Sequence, residues 1–260
     1  MRNWITTLAL LIAVLPVVHA ETDAEKGLAI MTEADNRDKG WQDSSADMLM
    51  ILRNRQGKES QREIRVKNLE VNGDGDKGLT VFNTPRDIKG TAFLTYSHSL
   101  VPDEQWLYLP AVKRVKRISS KNKSGPFMGS EFAFEDISSF EIPKYSYLFL
   151  RDEVLDGQAC FVLEMQPQYK HSGYTKSTVW IDKQEYRIQR IDFYDRKNAL
   201  LKIQRFADYN QYLGQYWRAH TMTMENQQNG KSTTLKWSNF VFRKGLTDKD
   251  FEKNDLKRQR

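Results

Sequence analysis

Few side chains in this 260-residue sequence are spaced for chemistry. Beyond residue 20 the histidines are His98, His171 and His220, and no two of them fall at the helical spacing that pairs metal ligands. The single cysteine, Cys160, cannot build a thiolate zinc site, and its apolar neighbours Ala159 and Phe161 point to a buried thiol. Gly129-Ser130 lacks the second glycine of a nucleophile elbow, and no glycine-rich run ends in Lys-Ser or Lys-Thr to cradle a phosphate. Asn72, Asp74 and Asp76 imitate the opening of a calcium loop, but Lys77 stands where glycine is required and Asn83 where the bidentate glutamate belongs, so the segment reads as a turn. Glu135-Asp136 remains as a pair compatible with acid–base work, although adjacent acids are common. No catalytic residues, metal ligands or cofactor are expected.

Bulky apolar residues on an otherwise polar chain carry the stronger signal. Trp106 and Tyr108 share one face of a strand while Leu107 and Leu109 share the other, so this strand needs a cover on both sides. Met48 and Met50 share a face, and methionine adapts to irregular apolar partners. Ordinary core is one reading of each residue. Gathered on a curved sheet with Phe127, Phe132 and Phe134, they would instead line a pocket for an acyl chain. A second feature is the basic run Lys113, Arg114, Lys116 and Arg117, continued by Lys121 and Lys123. It suits lipid head groups or an acidic face on a protein partner, or it is an edge strand protected by charge.

The elements that would hold these residues follow from composition and periodicity. Arg2, the apolar run 5–18 and the small residues of Val18-His19-Ala20 form an export signal cleaved near Ala20, too short and too interrupted by Pro16 to serve as a span. The mature protein, residues 21–260, is therefore expected in the periplasm of a Gram-negative cell, away from nucleic acid. Without Arg2 the chain keeps 39 basic against 34 acidic residues. A helix is expected at 23–38, with Leu28, Met31 and Ala34 on one face. Strands are expected at 48–53, 61–71, 79–83, 92–97, 105–109 and 112–118, then at 145–154, 160–165, 175–181, 188–193, 200–209, 216–225 and 232–242. Such a rhythm predicts one antiparallel meander that curls to hide its apolar face, in a single domain. The segment 119–140 breaks the rhythm and reads as a lid or plug, and 247–256 as a short terminal helix.

Several motifs together carry a resemblance: Asp103-Glu104-Gln105-Trp106-Leu107-Tyr108-Leu109-Pro110, then Lys113-Arg114-Val115-Lys116-Arg117-Ile118, then Phe127-Met128-Gly129-Ser130-Glu131-Phe132-Ala133-Phe134-Glu135-Asp136. In these motifs and their order the chain resembles the periplasmic outer-membrane lipoprotein-sorting family related to LolA and LolB, over nearly all of the mature sequence. The resemblance implies a mainly β fold, an unclosed antiparallel β-barrel or half-barrel covering a few helices. It further implies a carrier without covalent chemistry, which takes the acyl chains of a lipid or lipoprotein into its interior and shuttles them towards the outer membrane. Companions of this branch are RND-type exporters of the inner membrane. Lacking a lipidated cysteine, the chain fits a soluble, monomeric shuttle better than an anchored acceptor. A non-carrier docking module of an envelope transporter and an envelope-lipid enzyme using Glu135 and Asp136 are the alternatives.

Overall fold

The computed structural model describes residues 21–259; the expected export segment, residues 1–20, lies outside the described residues. Helix α1 (Asp23–Arg37) opens with a capping box: Thr22 Oγ1 accepts from the Glu25 amide at 3.2 Å, and the Glu25 carboxylate accepts from the Thr22 amide at 2.8 Å. Its buried face is Gly27, Ile30 and Met31, one step round from the expected one, and Leu28 is exposed. Close approach explains the rotation. A Cβ at Gly27 would stand 2.9 Å from the Phe149 amide nitrogen, so only glycine lets the helix lie this near the sheet.

Thirteen strands follow, at the thirteen places the alternation marks. The first six are β1 (Asp43–Arg53), β2 (Glu59–Leu69), β3 (Lys77–Phe82), β4 (Ala92–Tyr96), β5 (Glu104–Leu109) and β6 (Arg114–Ile118). The remaining seven are β7 (Tyr145–Leu155), β8 (Gln158–Pro167), β9 (Tyr174–Asp182), β10 (Ile188–Asp195), β11 (Leu200–Tyr212), β12 (Tyr216–Asn226) and β13 (Ser232–Phe242). All belong to one antiparallel sheet in the order β6-β5-β4-β3-β2-β1-β13-β12-β11-β10-β9-β8-β7. Because β1 pairs with β13, the two meanders join in the middle, with Met48 opposite Trp237 and Met50 opposite Leu235. The edges are β6 and β7, which do not pair with each other. The barrel is therefore unclosed, and residues 119–144 link its two free edges.

The inner face of the sheet is covered in both halves, and the outer face in the first half. Inside the first half, Met48, Met50, Ile64, Phe82, Phe93 and Leu107 pack around Phe127 and Phe132 of the linking segment. Inside the second half, Ile30 and Met31 of α1 pack on Tyr147, Leu163, Val179 and Ile181. On the outer face of the first half, Leu79, Val81, Leu94 and Trp106 are covered by Phe251 and Leu256. These last two come from 3-10 turns, Asp248–Phe251 and Lys253–Arg258, which stand where the sequence suggested a terminal helix. Cys160 is buried beside Val162 and Trp180, as its neighbours implied.

Candidate functional site: a plugged cavity in the half-barrel

The linking segment is built as a plug. Pro126 and Ala133 bridge, the Phe127 amide donates to Phe132 O at 2.7 Å, and Ser130 Oγ donates to Phe127 O at 2.7 Å. Between them Met128 and Gly129 both take positive φ, of 51° and 78°, which turns the chain back within two residues. Glycine carries this conformation at little cost. The resulting loop directs Phe127 and Phe132 inward, and both are almost fully buried. Phe127 lies 5.1 Å from the Phe93 ring and 5.5 Å, edge-on, from Phe134.

Polar side chains fasten the plug to the wall. Arg62 on β2 donates to the Met128 carbonyl. The Glu131 amide donates to Thr233 Oγ1 at 3.0 Å, and Asn226 Nδ2 donates to the Glu131 carboxylate at 2.7 Å. Lys202 on β11 donates to Glu131 O at 3.0 Å and to Asp136 Oδ2 at 2.6 Å. Asp136 also accepts from the Ala133 amide at 2.6 Å and from the Tyr174 hydroxyl at 2.8 Å. Glu135 accepts from Tyr169, Ser172 and the Gly173 amide, all within 2.9 Å, and burial pushes its carboxyl above the usual range despite these donors. The acidic pair is thus fully engaged in holding the plug against the far half of the barrel.

The ends of the segment are tied to the loop before β5. Asp103 pairs with Lys123 at 3.2 Å and with Lys144, one lysine from each end of the link. Burial pushes the Asp103 carboxyl up, but the two lysines outweigh it and hold it below its ordinary value. Lys123, expected in the exposed basic run, is buried in this cluster.

Beside the plug a partly open cavity of about 170 Å³ remains, lined by Met48, Val66, Phe93, Phe127, Phe132 and Trp237 among others. Of the expected pocket residues, Met48, Phe127 and Phe132 reach it, and Met50 and Phe134 belong to the cluster around it. Trp106 and Tyr108 do not. They face outwards, where Trp106 packs on Phe251 and Leu256, and it is Leu107 that faces in. The alternation along β5 is as expected; the cover over its Trp106 face is the C-terminal tail. Phe93, Thr95, Trp237 and Lys202 were not foreseen. Of these, Lys202 alone carries a local signal, a charge inside the apolar run Leu200-Leu201-Lys202-Ile203.

The basic run lies on the β6 edge, at a separate open groove of about 760 Å³ lined by Leu109, Val112, Lys113, Arg114, Val115, Lys116 and Lys257. Lys113, Arg114, Lys116 and Arg117 are exposed, and Arg117 is taken up by Glu104 at 2.9 Å. His98, just after β4, pairs at 2.6 Å with Asp74 of the turn that imitated a calcium loop.

Known proteins agree with this architecture. A family model described as "Uncharacterized protein" matches residues 74–258. An outer membrane lipoprotein-sorting protein domain from Vibrio parahaemolyticus is 62% identical, with a TM-score of 0.89 over 90% of this chain and 99% of that one. A DUF1329 family protein from Desulfovibrio piger is 31% identical, with a TM-score of 0.85 over 90% and 99%. A LolA superfamily protein from Nitrosomonas europaea, at 22% identity, shares the fold with a TM-score of 0.71 over 88% and 98%. No curated protein matches the chain.

Proposed function

The chain belongs to the family of outer membrane lipoprotein-sorting proteins that also takes in the DUF1329 protein, and from that premise we propose that it is a periplasmic carrier of acyl chains. The observation that carries the reading is the plug. Residues 119–144 fill the inside of the first half-barrel with phenylalanine, yet they join two free sheet edges and form no part of the ladder. Withdrawing them would open the interior without breaking one strand pairing.

Magnitudes favour exchange over permanent occupancy. Burying a phenylalanine side chain is worth roughly 1.5–3 kcal/mol, and each methylene about 0.8 kcal/mol. A chain of about ten methylenes therefore offsets the withdrawal of Phe127, Phe132 and Phe134 to within a few kcal/mol. Such a balance permits loading and release, as a shuttle requires. The cavity as it stands is close in size to one of ~150 Å³ that holds a single benzene, so a whole chain needs the plug to move.

The groove at the β6 edge supplies a docking face. Lys113, Arg114 and Lys116 present positive charge next to an unpaired strand, which suits an acidic partner or anionic head groups, and an RND-type inner-membrane transporter is the partner we propose. Acid–base chemistry at Glu135 and Asp136 has less support, since both carboxylates are committed to the anchors described above.

The test is cargo. Protein purified from the periplasm, extracted with organic solvent and examined by lipid mass spectrometry, should release acylated molecules, and the stripped protein should bind a fluorescent acyl probe. Absence of both would refute the carrier reading.

A further inference from the structure

The cavity is not wholly apolar. Three side-chain atoms in and beside it are shut away from solvent without a hydrogen-bond partner among the described residues: Thr95 Oγ1, Gln105 Oε1 and Trp237 Nε1. Thr95 and Trp237 line the cavity itself, and Gln105 stands opposite Thr95 in the β4–β5 register. Thr95 is 4% exposed and Gln105 is fully buried. Native proteins leave few buried polar groups unpaired, because the desolvation of each is then uncompensated. Three around one cavity mark a place where polar groups arrive with something that binds there.

Their hydrogen-bonding senses define what arrives. An indole Nε1–H only donates, so the Trp237 side calls for an acceptor. Gln105 Nε2 donates to Phe134 O and to Ser138 Oγ, both at 2.9 Å. A carbonyl oxygen cannot donate, so this pairing fixes the amide orientation and makes the free atom Oε1 an acceptor. Thr95 Oγ1 and Gln105 Oε1 do not bond each other; the hydroxyl can donate or accept, whereas the amide oxygen only accepts. The Gln105 oxygen therefore calls for a donor. A plain hydrocarbon satisfies neither side, and a simple ester only the first.

We propose that the cavity binds a functionalised stretch of an acyl-chain ligand, carrying a carbonyl acceptor and a hydroxyl or amide N–H donor within about six heavy atoms of one another, the content of a cavity of this size. The carbonyl accepts from Trp237 Nε1, and the hydroxyl or amide N–H donates to Gln105 Oε1 beside Thr95. Hydroxylated and amide-linked acyl chains meet the requirement. The inference rests on the carrier reading and specifies the class of its cargo.

Competition against a fluorescent acyl probe separates the two ideas. The competitors are dodecanoate and 3-hydroxydodecanoate, and the full mature protein is compared with Trp237→Phe and Thr95→Val. The wild type should prefer the hydroxylated chain at least tenfold, and each substitution should bring that ratio towards one. Circular dichroism confirms that the variants are folded, and should one not fold, the other and the wild-type ratio still decide. Equal displacement by both competitors in the wild type, or a ratio unaltered in the folded variants, would overturn this inference and leave the carrier standing. Failure of the probe and of both chains to bind would overturn both.

Discussion

Lys202 Nζ lies 2.6 Å from Asp136 Oδ2, with the two side chains only 4% and 5% exposed, and this pair joins the plug to strand β11 inside the barrel. Removing one partner of a buried pair leaves an uncompensated charge, which typically costs about 3–5 kcal/mol. Lys202→Met should therefore lower the unfolding free energy by about that amount in a urea melt. Because cargo and plug compete for one interior, the folded fraction of the variant should also bind an acyl probe more tightly than the wild type. Weaker binding would contradict the competition.

Trp106 and Phe93 test which face of the sheet meets the cargo. Trp106 packs outside on Phe251 and Leu256, whereas Phe93 lines the cavity. Trp106→Ala should cost about 3–5 kcal/mol of stability. Its folded fraction should keep the wild-type affinity for the probe. Phe93→Ala should change that affinity at least tenfold, roughly 1.4 kcal/mol. Titrations on the folded fraction of each variant read the difference.

Glu141 and Asp76 give the fold a pH dependence of definite sign. Burial, and then repulsion from Asp76, pushes the Glu141 carboxyl from 4.5 up to about 7. Asp76 is pushed from 3.8 up to about 6, again chiefly by burial. Between the ordinary and the raised values the folded protein holds more protons than the unfolded chain, so stability falls as pH rises through about 4 to 7. Glu141→Gln removes one of these titrations. The variant should gain stability relative to the wild type at pH 8 compared with pH 5; parallel urea midpoints across that range would count against this assignment.

The exposed charges of the β6 edge should act through salt-sensitive association. Reversal of Arg114 and Lys116 to glutamate should abolish crosslinking to an inner-membrane partner in cells. In purified components the contribution of these residues should shrink as salt rises, since screening at physiological ionic strength acts beyond about 8 Å. Capture that survives the reversal would remove the docking face.

The strands were legible because their signals are local. Alternation in Glu63-Ile64-Arg65-Val66, and turns such as Asp156-Gly157 and Asn229-Gly230, fix each hairpin within about ten residues. The plug was legible as a break in that rhythm with glycine hinges and aromatic residues. What escaped depends on partners distant in the chain. Trp106 presents the same alternation whether its face meets cargo or tail, and its cover, Phe251, lies far along the sequence. Lys123 reads as one more surface charge until Asp103 folds onto it, and Glu135-Asp136 as an acid pair until Tyr169, Tyr174 and Lys202 arrive.

The central claim, that lipid occupies the inside of the half-barrel in place of the plug, can be read by photocrosslinking in living cells. A photoreactive phenylalanine analogue is incorporated at Phe93 on the inner side of the wall or at Trp106 on the outer side, and the irradiated protein is examined by intact mass spectrometry. The expected result is a set of acylated adducts from the Phe93 position and none from Trp106. Adducts absent at Phe93, or equally abundant at Trp106, would contradict a cargo site within the barrel.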